Sequence, residues 1–413
     1  MHTHSHAGHH HGSVVPPHSL DGHEPSFVPL NARVAGRTSR RDFLPQMLAG
    51  ALGGASLLEM GFFRAALARA QAPVASGRLF DIQKVADGVY FALAHPQALT
   101  NCNAAIFVRS QDVVVVDAHS KPSAAASLIA QIKKEITSKP VRYLVNTHFH
   151  WDHTQGDAAY RATGGKVEII ASETTKQLLA QNARNRLKDS LDGVPQIIDG
   201  LKVRLSKATA PVEREFYREQ IRLAEAYQVE MRTFTPELPD ITFAQSYVLN
   251  DPAHDLHIEF HGRAHTAGDV VVFCPQRRAV ATGDAIIGWL PNIADGYPRE
   301  WPRTINSVAQ LAADRVIPGH GPVQANHQRL TQLRNYIEEL TGRVESGKKA
   351  GQTLADLQKT IALSSLKSFQ ANGYGSYVVE NLKKYSVYAG SRTAVEDRFL
   401  GNIEAIYKNL DWA

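Results

Sequence analysis

Four potential metal ligands stand close together in the middle of the chain: His148, His150, Asp152 and His153. They follow an apolar run, Val141–Val145, which predicts a strand that leads into an extended loop. Alternate side chains of an extended backbone can converge on one point, and imidazole and carboxylate groups are donors that zinc accepts. Because one zinc ion takes three or four protein ligands, this loop is expected to begin a site for two ions.

Three later segments add further potential ligands. They are His265 within residues 262–269, Asp284 after Thr282-Gly283, and His320 within residues 318–321. Isolated histidines are more often structural than ligating, and for that reason His95, His119 and His327 are set aside.

These four segments, in this order, resemble the metallo-β-lactamase superfamily of hydrolases. The resemblance covers about residues 80–325. It implies an αββα sandwich, in which two β-sheets are flanked by helices and the metal site lies at one edge, where loops following the strands meet. His265 is preferred to the nearby His254, His257 and His261, because it alone carries the His-Thr-x-Gly-Asp context of the family.

The resemblance also implies two zinc ions per chain and a ligand set for each. One ion is assigned to His148, His150 and His265, the other to Asp152, His153 and His320, with Asp284 bridging the two. Asp117, at the end of a predicted strand, matches the early aspartate that supports the site in this family.

The chemistry expected of such a site is hydrolysis of a small-molecule substrate. Zinc lowers the pKa of bound water to about 7, so a metal-bridging hydroxide is the expected nucleophile, and Asp152 is the expected proton shuttle. The β-lactamase branches as a rule lack a bridging aspartate, whereas glyoxalase-II-like thioesterases and lactonases have one. Asp284 therefore favours an ester, thioester or lactone-type bond over a class B-like β-lactamase.

Two other functions remain open from the sequence. An iron-dependent persulfide dioxygenase shares the fold and much of the motif but uses a single iron. A non-catalytic zinc-binding protein of the cell envelope would keep the ligands for storage or delivery and would show no turnover.

Short β-branched runs alternate with helical patterns from Phe80 onward, which predicts an α/β fold. Strands are predicted at 89–92, 104–108, 113–117, 141–145 and 167–170, a hairpin at 270–273 with 279–282, and a helix at 124–136. Charged, helix-favouring residues at about 173–239 predict a helical insertion, and further helices are predicted at 330–344, 353–363 and 394–410.

These patterns divide the chain into three parts. A catalytic domain is expected at 79–325, with the insertion inside it, and a helical C-terminal extension at 326–413. The insertion is expected to cover the mouth of the site or to form a homodimer contact.

The remaining part, residues 1–70, differs in composition. It holds a His-rich tail and then Ser39-Arg40-Arg41-Asp42-Phe43-Leu44, which resembles a twin-arginine export signal and precedes an apolar run and A-x-A cleavage sites. We expect the twin-arginine machinery as a partner and a periplasmic or otherwise exported mature protein. The apolar run is short and Glu59 interrupts it, so no stable membrane anchor is predicted.

Composition excludes two other classes of protein. Of the 413 residues 43% are hydrophobic, which excludes a disordered chain, and the formal charge of +5 comes without a long basic block, so no nucleic-acid partner is expected. Two cysteines, Cys102 and Cys274, are too few for a disulfide framework, and whether they pair stays open.

Overall fold

A computed structural model describes residues 79–94, 102–385 and 394–410. In these residues two β-sheets lie face to face with helices on both outer faces, so the predicted αββα architecture is confirmed. The predicted export signal and His-rich tail in residues 1–70 lie outside the described residues. None of the helices described is long and apolar enough to cross a membrane.

The first sheet has seven strands in sequence order. Strands β1 to β4 pair antiparallel, and β4 to β7 pair parallel. The strands are β1 (Phe80–Ala86), β2 (Val89–Ala94), β3 (Ala104–Val108), β4 (Val113–Val116), β5 (Val141–Val145), β6 (Glu168–Ser172) and β7 (Ile241–Phe243).

The second sheet has five strands in the order β12-β11-β10-β9-β8. Strands β11 and β12 pair parallel, and the other neighbours pair antiparallel, which includes the predicted β10–β11 hairpin. The strands are β8 (Ser246–Leu249), β9 (Leu256–Glu259), β10 (Val271–Cys274), β11 (Ala279–Gly283) and β12 (Arg315–Pro318).

The valine run of β4 shows how the sequence builds this sandwich. Val114 and Val116 pack between the two sheets, whereas Val113 and Val115 point to the opposite face, under the outer helix. Side chains alternate along a strand, so a strand that is covered on both faces must be apolar at every position.

Helices cover the outer face of the first sheet. Helix α1 (Pro122–Glu135) buries Leu128 and Ile132 against it, and two short helices follow β5, α2 (Trp151–Thr154) and α3 (Asp157–Arg161).

The insertion forms two long helices, α4 (Glu173–Lys207) and α5 (Pro211–Met231). They share a small apolar cluster, which contains Leu187, Val194, Ile198, Tyr227 and Met231. The helical part ends at Met231, earlier than the predicted boundary near 239, since Pro236 and Pro239 follow and lack the amide hydrogen that a helix needs.

The outer face of the second sheet lies under the C-terminal helices, which share one apolar cluster with it. These helices are α6 (Trp301–Ala309), α7 (Gln328–Lys349), α8 (Leu354–Thr360), α9 (Lys367–Gln370), α10 (Tyr374–Tyr385) and α11 (Ala394–Asn409). Helix α8 stops at Thr360, three residues before the predicted end.

Candidate metal centre

The predicted ligands lie on loops at one edge of the sandwich. His148 follows β5, Asp284 directly follows β11, and His320 follows β12, while His265 lies in the loop between β9 and β10. Backbone hydrogen bonds join these loops, for example from Gly319 N to Gly283 O at 2.8 Å. Residues from both sheets therefore meet at a single place.

Helix α2 brings the remaining three predicted ligands of the first segment to the same place. His150 is the residue before its first turn, and Asp152 and His153 lie within that turn. The backbone oxygen of His153 accepts a hydrogen bond from Ala118 N at 2.8 Å, which fixes the turn against the loop after β4.

The structure brings all seven predicted ligands together, as two triads with Asp284 beside them. In each triad one ligand atom per residue lies within 4.8 Å of the others. The first, which we call the three-histidine triad, contains His148, His150 and His265; the second, the aspartate triad, contains Asp152, His153 and His320.

Asp284 lies between the triads. Its Oδ2 is 3.5 Å from Nε2 of His265 and 3.4 Å from Nε2 of His320, and its Oδ1 is 3.6 Å from Nε2 of His153. Gly319 makes room for it, because a Cβ at that position would collide with Oδ1 of Asp284 and with the His153 ring. One carboxylate thus faces ligands of both triads, as a bridging ligand must.

Several atoms at the centre fit a bound cation. Three of these atoms are buried and have no hydrogen-bond partner within the described part of the chain: Nε2 of His148, Nε2 of His153 and Oδ1 of Asp284. Buried polar atoms without partners are costly, and atoms of this type are ligands for zinc. The donor set therefore fits metal ions.

The outer nitrogens of two ligands are held from the loop after β4. Nδ1 of His153 donates to Asp117 at 2.8 Å, and Nδ1 of His148 donates to Oγ1 of Thr147, which in turn donates to Asp117. Hydrogen bonds of this kind select the tautomer whose Nε2 lone pair faces the metal. Asp117 occupies the supporting place that the resemblance implied.

The outer nitrogens of two other ligands are held from a loop that sequence reasoning missed. Nε2 of His150 donates to Asp295 at 2.8 Å, and Nδ1 of His265 donates to the backbone oxygen of Asn292 at 2.9 Å. Arg186 of α4 donates twice to Asp295. No motif marks these residues, which come together only through tertiary packing.

Carboxylates dominate the electrostatics of the aspartate triad when no metal is bound. Burial lowers the pKa of His153 and of His320, but the surrounding carboxylates outweigh burial and raise the two pKa values to about 9 and about 10. Burial likewise opposes ionisation of Asp152 and Asp284, but the nearby imidazoles hold the pKa of each carboxyl below its usual range. The same field would attract a cation.

The three-histidine triad has the opposite character. Burial, together with neighbouring imidazoles, lowers the pKa of His148 well below its usual value and that of His265 to about 3. These two rings are neutral at physiological pH, which is the form that binds metal.

Residues set aside in the sequence have structural roles. His261 bonds to Ser307 and Glu259, and Nδ1 of His119 donates to the backbone oxygen of Cys102 at 2.9 Å. Cys102 and Cys274 are buried free thiols. These histidines and cysteines belong to neither triad.

Comparisons with known proteins agree with this architecture. The sequence model of the metallo-beta-lactamase superfamily matches residues 98–320, which is more than half of the chain. A linear primary-alkylsulfatase from Pseudomonas sp. is 23% identical over 235 residues, 54% of this chain and 42% of that protein. The match thus spans less than half the length of this relative.

Solved structures that are similar to this chain include an alkylsulfatase and two metallo-beta-lactamases. A stereoselective inverting sec-alkylsulfatase from Pseudomonas sp. has a TM-score of 0.58 at 15% identity, over 80% of this chain and 50% of its own. A metallo-beta-lactamase from Pontibacter korlensis has a TM-score of 0.46 at 21% identity, and the similarity covers 63% of this chain and 99% of that protein. A metallo-beta-lactamase from Pseudomonas aeruginosa, in its mono-zinc form, has a TM-score of 0.45 at 20% identity. The similarity covers 63% of this chain and 95% of that protein.

Proposed function

Because the chain belongs to the metallo-beta-lactamase superfamily, whose members are generally metal-dependent hydrolases, we propose that it uses two zinc ions to cleave an ester-type bond. The observation that carries this proposal is Asp284, whose carboxylate faces both triads. Two triads of imidazole and carboxylate ligands suit two zinc ions, which in such sites lie roughly 3.5–4 Å apart.

When bound, zinc would lower the pKa of a bound water to near neutral pH, and it would polarise the bond under attack. The residues of the chain orient the reacting groups and move the proton. We assign proton transfer to Asp152, which lies 3.3 Å from Nε2 of His320 and is ionised at neutral pH because its pKa is lowered. His148, His150 and His265 would hold the other zinc ion in place.

Esters, thioesters and lactones are the first substrate class that we propose. The reason is the aspartate at position 284, which the β-lactamase branches as a rule lack. A sulfate ester is the second class, because the relative that matches 54% of this chain is a linear primary-alkylsulfatase. Both classes present a small molecule with one polarised ester bond.

A substrate panel tests this function. The zinc-loaded protein is assayed on aryl esters, thioesters, lactones, alkyl sulfates and β-lactams. We expect turnover on one of the first four, lost in His148→Ala and retained in His257→Ala. His257 is a suitable control because it lies 3.7 Å from Glu259 on β9, outside both triads. Equal activity of wild type and His148→Ala would contradict the proposal.

The same preparation separates the other functions. One iron per chain with oxygen consumption on a persulfide would indicate a dioxygenase. Two tightly bound zinc ions without turnover on the whole panel would indicate a storage or delivery protein. Turnover on β-lactams alone would indicate a β-lactamase.

We also propose that the protein is exported through the twin-arginine pathway. The support is the order of Arg40-Arg41, apolar run and A-x-A sites in the sequence. Replacing both arginines by lysine should leave unprocessed precursor in the cytoplasm, whereas Arg37→Lys should not. Unchanged export of the double variant would contradict this part of the proposal.

A further inference from the structure

The loop at residues 292–296, which we call the support loop, holds two members of the three-histidine triad from outside. Oδ2 of Asp295 accepts from Nε2 of His150 at 2.8 Å, and the backbone oxygen of Asn292 accepts from Nδ1 of His265 at 2.9 Å. Since the outer nitrogen of each ring is occupied, the inner nitrogens face the centre, 2.9 Å apart.

Asp295 is held in turn by the insertion. Nη1 and Nη2 of Arg186 donate to its two oxygens at 3.0 and 2.9 Å, in the planar paired geometry that a guanidinium offers and an ammonium does not. The Arg186 guanidinium also lies over the ring of Phe149, 4.4 Å from its centroid, and Phe149 packs against Leu178 and Leu179. Helix α4 is therefore fixed on the ligand segment and on the support loop at once.

The C-terminal helix α11 holds the same loop from the other side. Nδ2 of Asn409 donates to the backbone oxygens of Ile293 and Gly296 at 3.2 and 3.0 Å. Oδ1 of Asn402 accepts from the backbone nitrogen of Ile293 at 3.2 Å. Two elements outside the two sheets therefore meet at a loop that also contacts two of the predicted metal ligands, His150 and His265.

From these contacts we propose that Arg186 is a positioning residue for the three-histidine triad, acting through Asp295 on His150. This inference rests on the proposed two-zinc function, and it gives the insertion a role that a lid or a dimer contact would not have. Arg186 itself does not touch the ligand atoms. Loss of a ligand's direct outer partner, which here is Asp295, typically costs roughly 10–100-fold in metal affinity. Arg186 acts one contact further out.

Zinc affinity tests the inference without relying on turnover. Both binding constants are measured by competition with a chromophoric chelator, for wild type, Arg186→Gln, Arg186→Lys and Arg184→Gln. Arg184 is the matched control, because it is an exposed arginine on the same helix. We expect Arg186→Gln to weaken the binding of one ion by up to roughly 10-fold, the lower end of the range for a direct outer partner. Arg186→Lys should recover part of the loss, and Arg184→Gln should change neither binding constant.

A second ligand variant shows which ion responds. In His265→Ala the three-histidine triad is already broken, so adding Arg186→Gln should leave the affinity of the remaining ion unchanged. Thermal unfolding of the metal-free variants shows whether the substitution alters the fold, and Arg186→Lys serves if Arg186→Gln does not fold.

Two results would overturn the inference. One is wild-type affinity for every ion in Arg186→Gln; the other is an equal loss in Arg184→Gln, which would indicate a general effect of charge. A wild-type protein that binds fewer than two zinc ions would instead contradict the proposed function, so the two failures can be told apart.

Discussion

The two triads of the metal centre differ in what holds them. In the aspartate triad, His153 is fixed by Asp117 at the end of β4, inside the sandwich. In the three-histidine triad, His150 and His265 are fixed by the support loop, which α4 and α11 hold from outside the two sheets. The support of the aspartate triad thus belongs to the core fold, whereas that of the three-histidine triad depends on elements added to it.

Substitution of Asp284 should affect both triads equally, because its carboxylate faces both of them. It should also cause the largest loss of zinc affinity. Asp284→Asn removes the negative charge that faces both triads. The affinity for both zinc ions should therefore decrease, and turnover should fall. The loss should exceed the roughly 10–100-fold typical of an outer partner. Zinc content after gel filtration and kcat measure it; loss of a single ion would contradict a shared ligand.

Asp117→Asn should act on the triads unequally. Asn keeps the shape of the side chain and tolerates the left-handed backbone at this position, where φ is 69°. The affinity of the aspartate triad for its ion should decrease by roughly 10–100-fold. The other ion should weaken less, since His148 reaches Asp117 only through Thr147. Chelator competition measures both, and a larger loss in the three-histidine triad would contradict the assignment.

Proton release on zinc binding should separate the triads without any substitution. Since the pKa values of His153 and His320 are raised to about 9 and about 10, both rings carry a proton at pH 7.5 in the metal-free protein. His148 and His265 are neutral there. Zinc should displace about two protons from the aspartate triad, and ionisation of zinc-bound water near neutral pH should release about one more. Calorimetry in buffers of different ionisation enthalpy counts them, and no release would contradict the field described.

The same shifts fix the pH dependence of the metal-free fold. Both histidines have a folded pKa above the ordinary value of 6.5, so their stabilising contribution is complete below that value. It is lost as the pH rises through 9 and 10. The thermal midpoint in chelator should therefore fall over this range, and His320→Gln should reduce the fall.

The smallest effect is expected at the other insertion helix, α5. The hydroxyl of Tyr227 donates to Oε1 of Gln155 at 3.1 Å, and the tyrosine is only 8% exposed. Tyr227→Phe should lower the free energy of unfolding by about 0.5–1.5 kcal/mol and leave both zinc affinities unchanged. A loss of zinc affinity as large as that of Arg186→Gln would show that the whole insertion, rather than Arg186, positions the triad.

The sequence predicted what depends on local pattern. The strand Val141–Val145 has the predicted ends, and the valines of β4 form a strand that is buried on both faces. The seven ligands were found because histidines and aspartates cluster after apolar runs, and the structure brings them together. His265 could be chosen over three neighbouring histidines only through the resemblance to a family.

The outer partners could not be predicted, because their roles arise from packing between distant parts of the chain. Arg186 is one of many charged residues in a helical stretch, and Asp295 lies in a segment with the composition of an ordinary turn. Their separation of 109 positions leaves no local signal. Strands β1, β7 and β8 also escaped prediction, since their many exposed or half-buried positions leave no clear apolar alternation.

Anomalous diffraction at the zinc edge, from crystals of the protein purified without added metal, is the decisive measurement for a two-zinc centre. Two peaks are expected roughly 3.5–4 Å apart, one among His148, His150 and His265 and the other among Asp152, His153 and His320, with Asp284 between them. A single peak, or a signal at the iron edge in place of zinc, would contradict it.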